Sequence, residues 1–176
     1  MKSGIKKIAV LGPESSGKTE LCVRLAIHFK TVYAPEFARN YLLTINRPYS
    51  SDDLLFIARM QLKEEEKAVS NANTVVFFDT ELINLKQWNL HRFGFCHPLI
   101  EEALNKKPYD FYLLTSPDLP WIPDLLRENP GKSNYFFEVY KNEIEHYGFP
   151  YAVISGKGKH RTTCAVKAVE RFLSTR

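Results

Sequence analysis

The sequence predicts an α/β fold in which about five parallel strands form one sheet, helices cover both faces, and a lid closes over one edge. Three observations predict it. Short apolar runs alternate with amphipathic segments of helical period, the pattern of strand and helix repeating around a parallel sheet. Two of the runs, "TVVFFDT" (74–80) and "YDFYLLTS" (109–116), are almost wholly apolar, as centre strands covered on both faces are. The stretch "PDLPWIPDLLRENPGK" (117–132) carries four prolines, so it cannot be one regular element. It is long and charged enough to act as the lid.

The elements follow in order. Lys7–Leu11 is a first strand, and Lys18–Phe29 a helix with Leu21, Leu25 and Ala26 on one face. Thr31–Ala34 is a short second strand, followed by a helix that carries Arg39. Ser51-Asp52-Asp53 offers an N-cap and first-turn acids to a long helix ending near Ser70. After the strand at 74–80 a helix runs from Glu81 onward, and Pro98 opens another through Asn105. Beyond the strand at 109–116 and the lid, placed at about 117–134, Tyr135–Tyr147 is helical. Tyr151–Ser155 is the last strand and Thr162–Leu173 the closing helix. The 176 residues suit one domain, 1–176, with a sizeable core.

Bulk properties narrow the class. A hydrophobic content of 44% with mixed charges fits a globular chain, and a net charge of +4 is compatible with a polyphosphate ligand. Lys and Arg are scattered, so no nucleic-acid partner is expected; Lys2, Lys6 and Lys7 read as a solubilising group. Cys22, Cys96 and Cys164 lie far apart without C-x-x-C spacing and read as reduced thiols packed as small hydrophobes. His91 and His97 flank a Gly-Phe-Cys loop; lacking metal-ligand spacing, they read as solvated polar residues in preference to metal ligands. No apolar run approaches the roughly 20 residues of a bilayer span, and no signal-peptide pattern opens the chain. A cytoplasmic protein without a membrane partner is expected.

The chemistry begins between the first strand and the first helix. Gly12-Pro13-Glu14-Ser15-Ser16-Gly17-Lys18-Thr19 matches G-x-x-x-x-G-K-[ST] with a strand before it and a helix after, the context that pattern requires. Glycines let such a loop wrap closely, so that backbone N–H groups and the helix N-terminus face the phosphates of ATP. Lys18 places a charge near the β- and γ-phosphates, and the Thr19 hydroxyl ligates Mg²⁺. This makes the fold a P-loop NTPase. Asp79 ends a buried strand at the carboxyl edge of the sheet, where ligands bind in open α/β folds. There it can hold Mg²⁺, or, with Thr80, cap the helix that follows.

A GTPase reading fails twice. Asn105-Lys106-Lys107-Pro108 replaces the aspartate of N-K-x-D with proline, and Asp79-Thr80-Glu81-Leu82 lacks the glycine of D-x-x-G. A small-molecule kinase fits the length, the lid and a second acid. That acid is Glu36 in "VYAPEFARN", after the second strand at the same sheet edge. A kinase acting on a hydroxyl needs a carboxylate to orient the O–H and take its proton. Arg39, one turn on, can keep Glu36 ionised, touch a phosphate, or form a surface ion pair with it. In the lid, Arg127 is the candidate cation for the transferring phosphoryl group, with Lys132 behind it and Asp124 as its partner in an open state. Gly156-Lys157-Gly158 reads as a nucleotide-base loop or an ordinary turn, with Arg161 available to stack on adenine.

Together "GPESSGKTEL", "PEFARNYL", "DDLLFIARMQ", "FFDTELINLKQW", "YDFYLLTSPDLPWIPDLLRENP" and "YAVISGKGKHR" resemble the nicotinamide riboside kinase domain, from Lys7 to about Phe172. In that family the domain forms the C-terminal half of an NAD-biosynthesis regulator and also stands alone. The resemblance implies ATP- and Mg²⁺-dependent phosphorylation of the 5′-hydroxyl of nicotinamide riboside. It implies phosphate binding by Gly12–Thr19, with Asp79 and Glu36 around metal and acceptor. No H-x-G-H occurs, so the adenylyltransferase half is expected to be absent, as is a DNA-binding segment. The lid has no arginine between Arg127 and Arg161, unlike a lid with several cations. The substrate's pyridinium charge calls for aromatic faces. Trp88 and Trp121 are the first candidates and Tyr33 the next. Another nucleoside kinase, or an ATP-binding regulator with little turnover, are the competing readings.

Overall fold

In the computed structural model, which describes residues 4–175, the apolar runs form β1 (Lys6–Leu11), β2 (Tyr33–Ala34), β3 (Val75–Asp79), β4 (Phe111–Thr115) and β5 (Tyr151–Ile154). Lys2 lies outside the described residues. All pairings are parallel and the sheet order is β2-β3-β1-β4-β5. The order reverses beside β1, which opens a crevice at the carboxyl ends of β1 and β3. Every residue of β3 and β4 is buried, as their almost wholly apolar sequence favours.

Between the strands run α1 (Lys18–His28), α2 (Phe37–Thr44), α3 (Ser51–Asn71), α4 (Leu82–Phe93), α5 (Pro98–Asn105), α6 (Ser133–Tyr147) and α7 (Gly158–Ser174). Alternation along the strands splits the core into two layers. Ile8, Val10, Phe77 and Leu113 face α1 and α7, packing on Leu21, Leu25, Ala165 and Val169. Ala9, Leu11, Phe78, Tyr112 and Leu114 face the other way, onto a larger layer that includes Leu54, Ile57, Ile83, Ile100 and Ile144. Segment 116–132 contains no regular element and spans β4 to α6, as its prolines require.

Two capping assignments differ from expectation. The N-cap of α3 is Ser50, not Ser51. Its Oγ accepts from Asp53 N–H at 3.3 Å, while the Asp53 carboxylate accepts from Ser50 N–H at 2.7 Å. Neither Asp79 nor Thr80 caps α4; Glu81 does, its Oε2 accepting from Ile83 N–H at 2.7 Å. That leaves Asp79 free of a capping role.

Candidate active site

The P-loop is shaped by contacts only small residues allow. A Cβ on Gly12 would stand 2.0 Å from Thr115 Oγ1 and 2.8 Å from the Thr115 carbonyl, so the loop can approach β4 only as glycine. Gly17 has φ 77°, the left-handed turn that starts α1. Ser16 is turned inward, its Oγ donating to the Pro13 carbonyl at 2.7 Å and meeting Thr115 Oγ1 at 2.6 Å. Lys18 Nζ arches over the loop and donates to the carbonyls of Gly12 and Pro13, each at 2.9 Å.

Asp79 is fully enclosed at the end of β3, and its Oδ1 has no hydrogen-bond partner. Burial raises its pKa; a hydrogen bond from Thr19 and the nearby Lys18 charge pull it down. An unpartnered carboxylate oxygen beside an exposed threonine hydroxyl is a donor set for a hard divalent cation, so Thr19 and Asp79 fit Mg²⁺. Thr80, next along, holds φ 64°, a left-handed backbone that a β-branched residue rarely adopts. The strain sits where the chain turns from β3 into the cavity wall, as it does at functional sites.

Glu36 caps α2 with its backbone alone; its side chain makes no cap hydrogen bond. Burial pushes its carboxyl above the ordinary range, with Asp79 adding to the rise, while Lys18, Arg39 and Arg127 oppose it. Four charged groups from four segments therefore act on one acid. Glu36 and three of the four, Lys18, Arg39 and Arg127, border a cavity of about 700 Å³ that Thr19 and Lys132, among others, also line. Its far wall comes from α4 and α6, through Asn84, Trp88, Phe136 and Tyr140. Asn84 Nδ2 donates to Tyr140 Oη at 3.1 Å, and Trp88 Nε1 to Tyr49 Oη at 3.0 Å.

Several expected roles are replaced. Arg39 pairs with Asp124 of the lid at 2.6 Å, so Asp124 is not the partner of Arg127. Arg127 Nη1 instead donates to the Ile122 carbonyl at 2.5 Å. Arg161 does not lie open for stacking: it is buried, with its guanidinium donating to the carbonyls of Ile154, Gly156 and Ser116 and to Asp118. Gly156 N–H also donates to Asp118, at 2.6 Å, so this loop ties down the root of the lid. Tyr33 packs into the α1-side core rather than lining the cavity. Trp121 does not line it either; its indole N–H donates to Glu14 at 3.2 Å. Of the three aromatics expected at the substrate, only Trp88 lines the cavity.

Sequence reasoning missed Asn84, Phe136 and Tyr140, which lie on helices too far along the chain for local spacing to connect them with the P-loop. His97 caps α5, accepting from Leu99 N–H at 3.2 Å, and among the described residues no group of three or more His, Cys, Asp or Glu side chains is placed to hold a metal ion. All three cysteines are free, Cys22 buried and the others half-buried. Among the described residues no helix is long and apolar enough to cross a membrane.

Comparison with known proteins places this geometry. The chain is 30% identical over 154 residues to the trifunctional NAD biosynthesis/regulator protein NadR of Salmonella typhimurium, covering 80% of this chain and 37% of that protein. It is 31% identical over 129 residues to the protein of the same name from Escherichia coli, covering 70% of this chain and 31% of that one. The chain thus spans about a third of the length of these relatives. Among solved structures, a NadR protein in complex with NR matches 97% of this chain and 50% of its own at 21% identity and TM-score 0.80. Thymidylate kinase from Ehrlichia chaffeensis matches 94% of this chain and 99% of its own at 15% identity and TM-score 0.66. These neighbours establish an α/β P-loop NTPase fold. The AAA domain family matches residues 7–161, nearly the whole chain, and the protein belongs to that family.

Proposed function

We propose that the protein is a kinase that uses ATP and Mg²⁺ to phosphorylate the 5′-hydroxyl of nicotinamide riboside, giving nicotinamide mononucleotide, in the cytoplasm. The observation that carries it is the convergence of Glu36, Lys18 and Arg127 on one cavity whose far wall carries aromatic side chains, with the Asp79 charge acting on Glu36 from the end of β3. The similarity to NadR proteins, one of them solved with NR, supports the acceptor. The kinase neighbours support phosphoryl transfer as the reaction.

The residues divide the work. The loop from Gly12 to Thr19 turns its backbone N–H groups and the α1 N-terminus to the triphosphate, and Lys18 exchanges its loop carbonyls for phosphate oxygens. Thr19 and Asp79 would hold Mg²⁺, which neutralises charge on the phosphates. Glu36 accepts the proton of the acceptor hydroxyl and aims its oxygen at the γ-phosphorus. Arg127 faces the charge that spreads over the transferring group, and Arg39, held on Asp124, keeps the lid beside it. Trp88 offers its ring to the pyridinium.

The test is ADP release from ATP and Mg²⁺ with nicotinamide riboside, set beside a panel of ordinary nucleosides. Stimulation by nicotinamide riboside alone is expected, with a loss of about 10²–10⁴-fold in kcat for Glu36→Gln. Stimulation only by another nucleoside would transfer the reading to that substrate. Nucleotide binding without stimulation by any acceptor would leave an ATP-binding regulator.

A further inference from the structure

The P-loop of this chain carries an acid whose side chain serves something other than phosphate. Glu14 stands at the third position of the loop, yet its carboxylate accepts hydrogen bonds from three lid residues. Trp121 Nε1 and Asn129 N–H donate to Oε2, each at 3.2 Å; Glu128 N–H and Asn129 Nδ2 donate to Oε1, at 3.1 and 3.0 Å. Four donors fill the acceptor capacity of a carboxylate. Next to it, Ser15 Oγ accepts from Ile122 N–H at 3.0 Å and lies 3.4 Å from the Ile122 carbonyl.

These contacts bracket Arg127. Glu128 and Asn129, held by Glu14, directly follow it. Ile122, held by Ser15, carries the carbonyl that accepts from its guanidinium. The remaining lid contacts lie elsewhere: Asp118 anchors the root through Gly156 and Arg161, Asp124 meets Arg39, and Glu128 Oε2 accepts from Tyr49 Oη at 2.8 Å. Among the described residues, the side-chain hydrogen bonds that register the lid against the loop facing the phosphates are those of Glu14 and Ser15. We propose that Glu14, assisted by Ser15, is a positioning residue that locks the lid onto the P-loop and thereby sets Arg127 over the transferring phosphoryl group. The proposal rests on the kinase reading of the site for its consequence, but not for the contact itself.

Glutamine in place of Glu14 keeps the length and removes one acceptor oxygen and the charge, so its amide group meets donors instead of accepting them. In Glu14→Gln, amide hydrogen exchange across 118–132 in the unliganded protein should quicken by about tenfold or more, with β3 and α1 unchanged. kcat should fall by about tenfold or more while KM for ATP moves less than about threefold. Acceptor-independent ATP hydrolysis should rise relative to transfer, because a loosened lid admits water. Trp121→Phe, which removes one donor of four, should show the same pattern at smaller size. Should Glu14→Gln fail to fold, Trp121→Phe and Asn129→Ala test the same contact from the lid side. Lid exchange equal to wild type in these variants, or a loss of ATP affinity with the lid unchanged, overturns the proposal. The exchange result needs no acceptor: a quickened lid with no response to nicotinamide riboside would sink the substrate and leave the lock.

Discussion

A carboxylate that takes a proton from an alcohol must be ionised, and Glu36 is pulled in two directions on that count. Burial favours its neutral form, while Lys18, Arg39 and Arg127 favour the anion. Burial outweighs the cations and raises its pKa, so the acid limb of kcat/KM should lie higher than an ordinary exposed glutamate would place it. If Glu36 is the base proposed above, the active form is the anion, so the limb should rise with pH and vanish in Glu36→Gln. A pH–rate profile of both proteins checks this; an unchanged limb in the variant assigns it to another group. Glu36 was legible in the sequence because a carboxylate after a strand end is a local pattern. Arg161 was not read correctly, because its four acceptors come from residues 116, 118, 154 and 156, which only the β4–β5 pairing brings together.

At the scale of elements, the start of α3 shows how local chemistry fixes the wall of the site. Asp53 closes the capping box with Ser50 and also accepts from Arg47 at 2.6 and 2.8 Å and from Tyr41 Oη at 2.6 Å, which ties the end of α2 to the start of α3. Those bonds hold the Asp53 carboxyl far below its ordinary range. Ser50→Ala should lower stability by about 1 kcal/mol, the usual cost of a lost N-cap, read as a lower urea midpoint with an unchanged slope. A midpoint equal to wild type would show that Arg47 and Tyr41 suffice. Most strands and helices were legible because binary pattern is local. α2 was harder to delimit: it has only eight residues, buries only Ala38 fully, and starts from a backbone cap that leaves no sequence signature. The role of Glu14 was hidden for a different reason. Its partners lie 107 to 115 residues away in a proline-broken segment with no periodicity to read.

On the scale of the whole molecule, the layer between the sheet and α3 to α6 encloses two acids that a hydrophobic pattern does not announce. Glu65 accepts from Tyr109 Oη at 3.0 Å through both oxygens, and Glu81 accepts from Tyr112 Oη at 3.1 Å while its Oε1 has no partner. Burial, the largest cause in each case, raises both carboxyls to about 8. In the unfolded chain they ionise near the ordinary 4.5. Between these values the folded protein binds protons that the unfolded chain has released, so rising pH favours unfolding. The stabilisation is complete below about pH 4.5, is lost as pH climbs through about 8, and changes little beyond. Each acid contributes at most about 1.4 kcal/mol per pH unit in that window. Asp53 acts oppositely, but only as pH falls below the ordinary range of aspartate, outside the window. Urea unfolding of the unliganded protein should therefore give a lower midpoint at pH 7.5 than at pH 5.5, against the common expectation of a plateau near neutrality. Glu65→Gln cannot ionise and should remove one proton's share of the difference. A midpoint that holds steady or rises from pH 5.5 to 7.5 would mean that the two acids are already ionised in the folded chain, stabilised there by the tyrosine hydroxyls that face them.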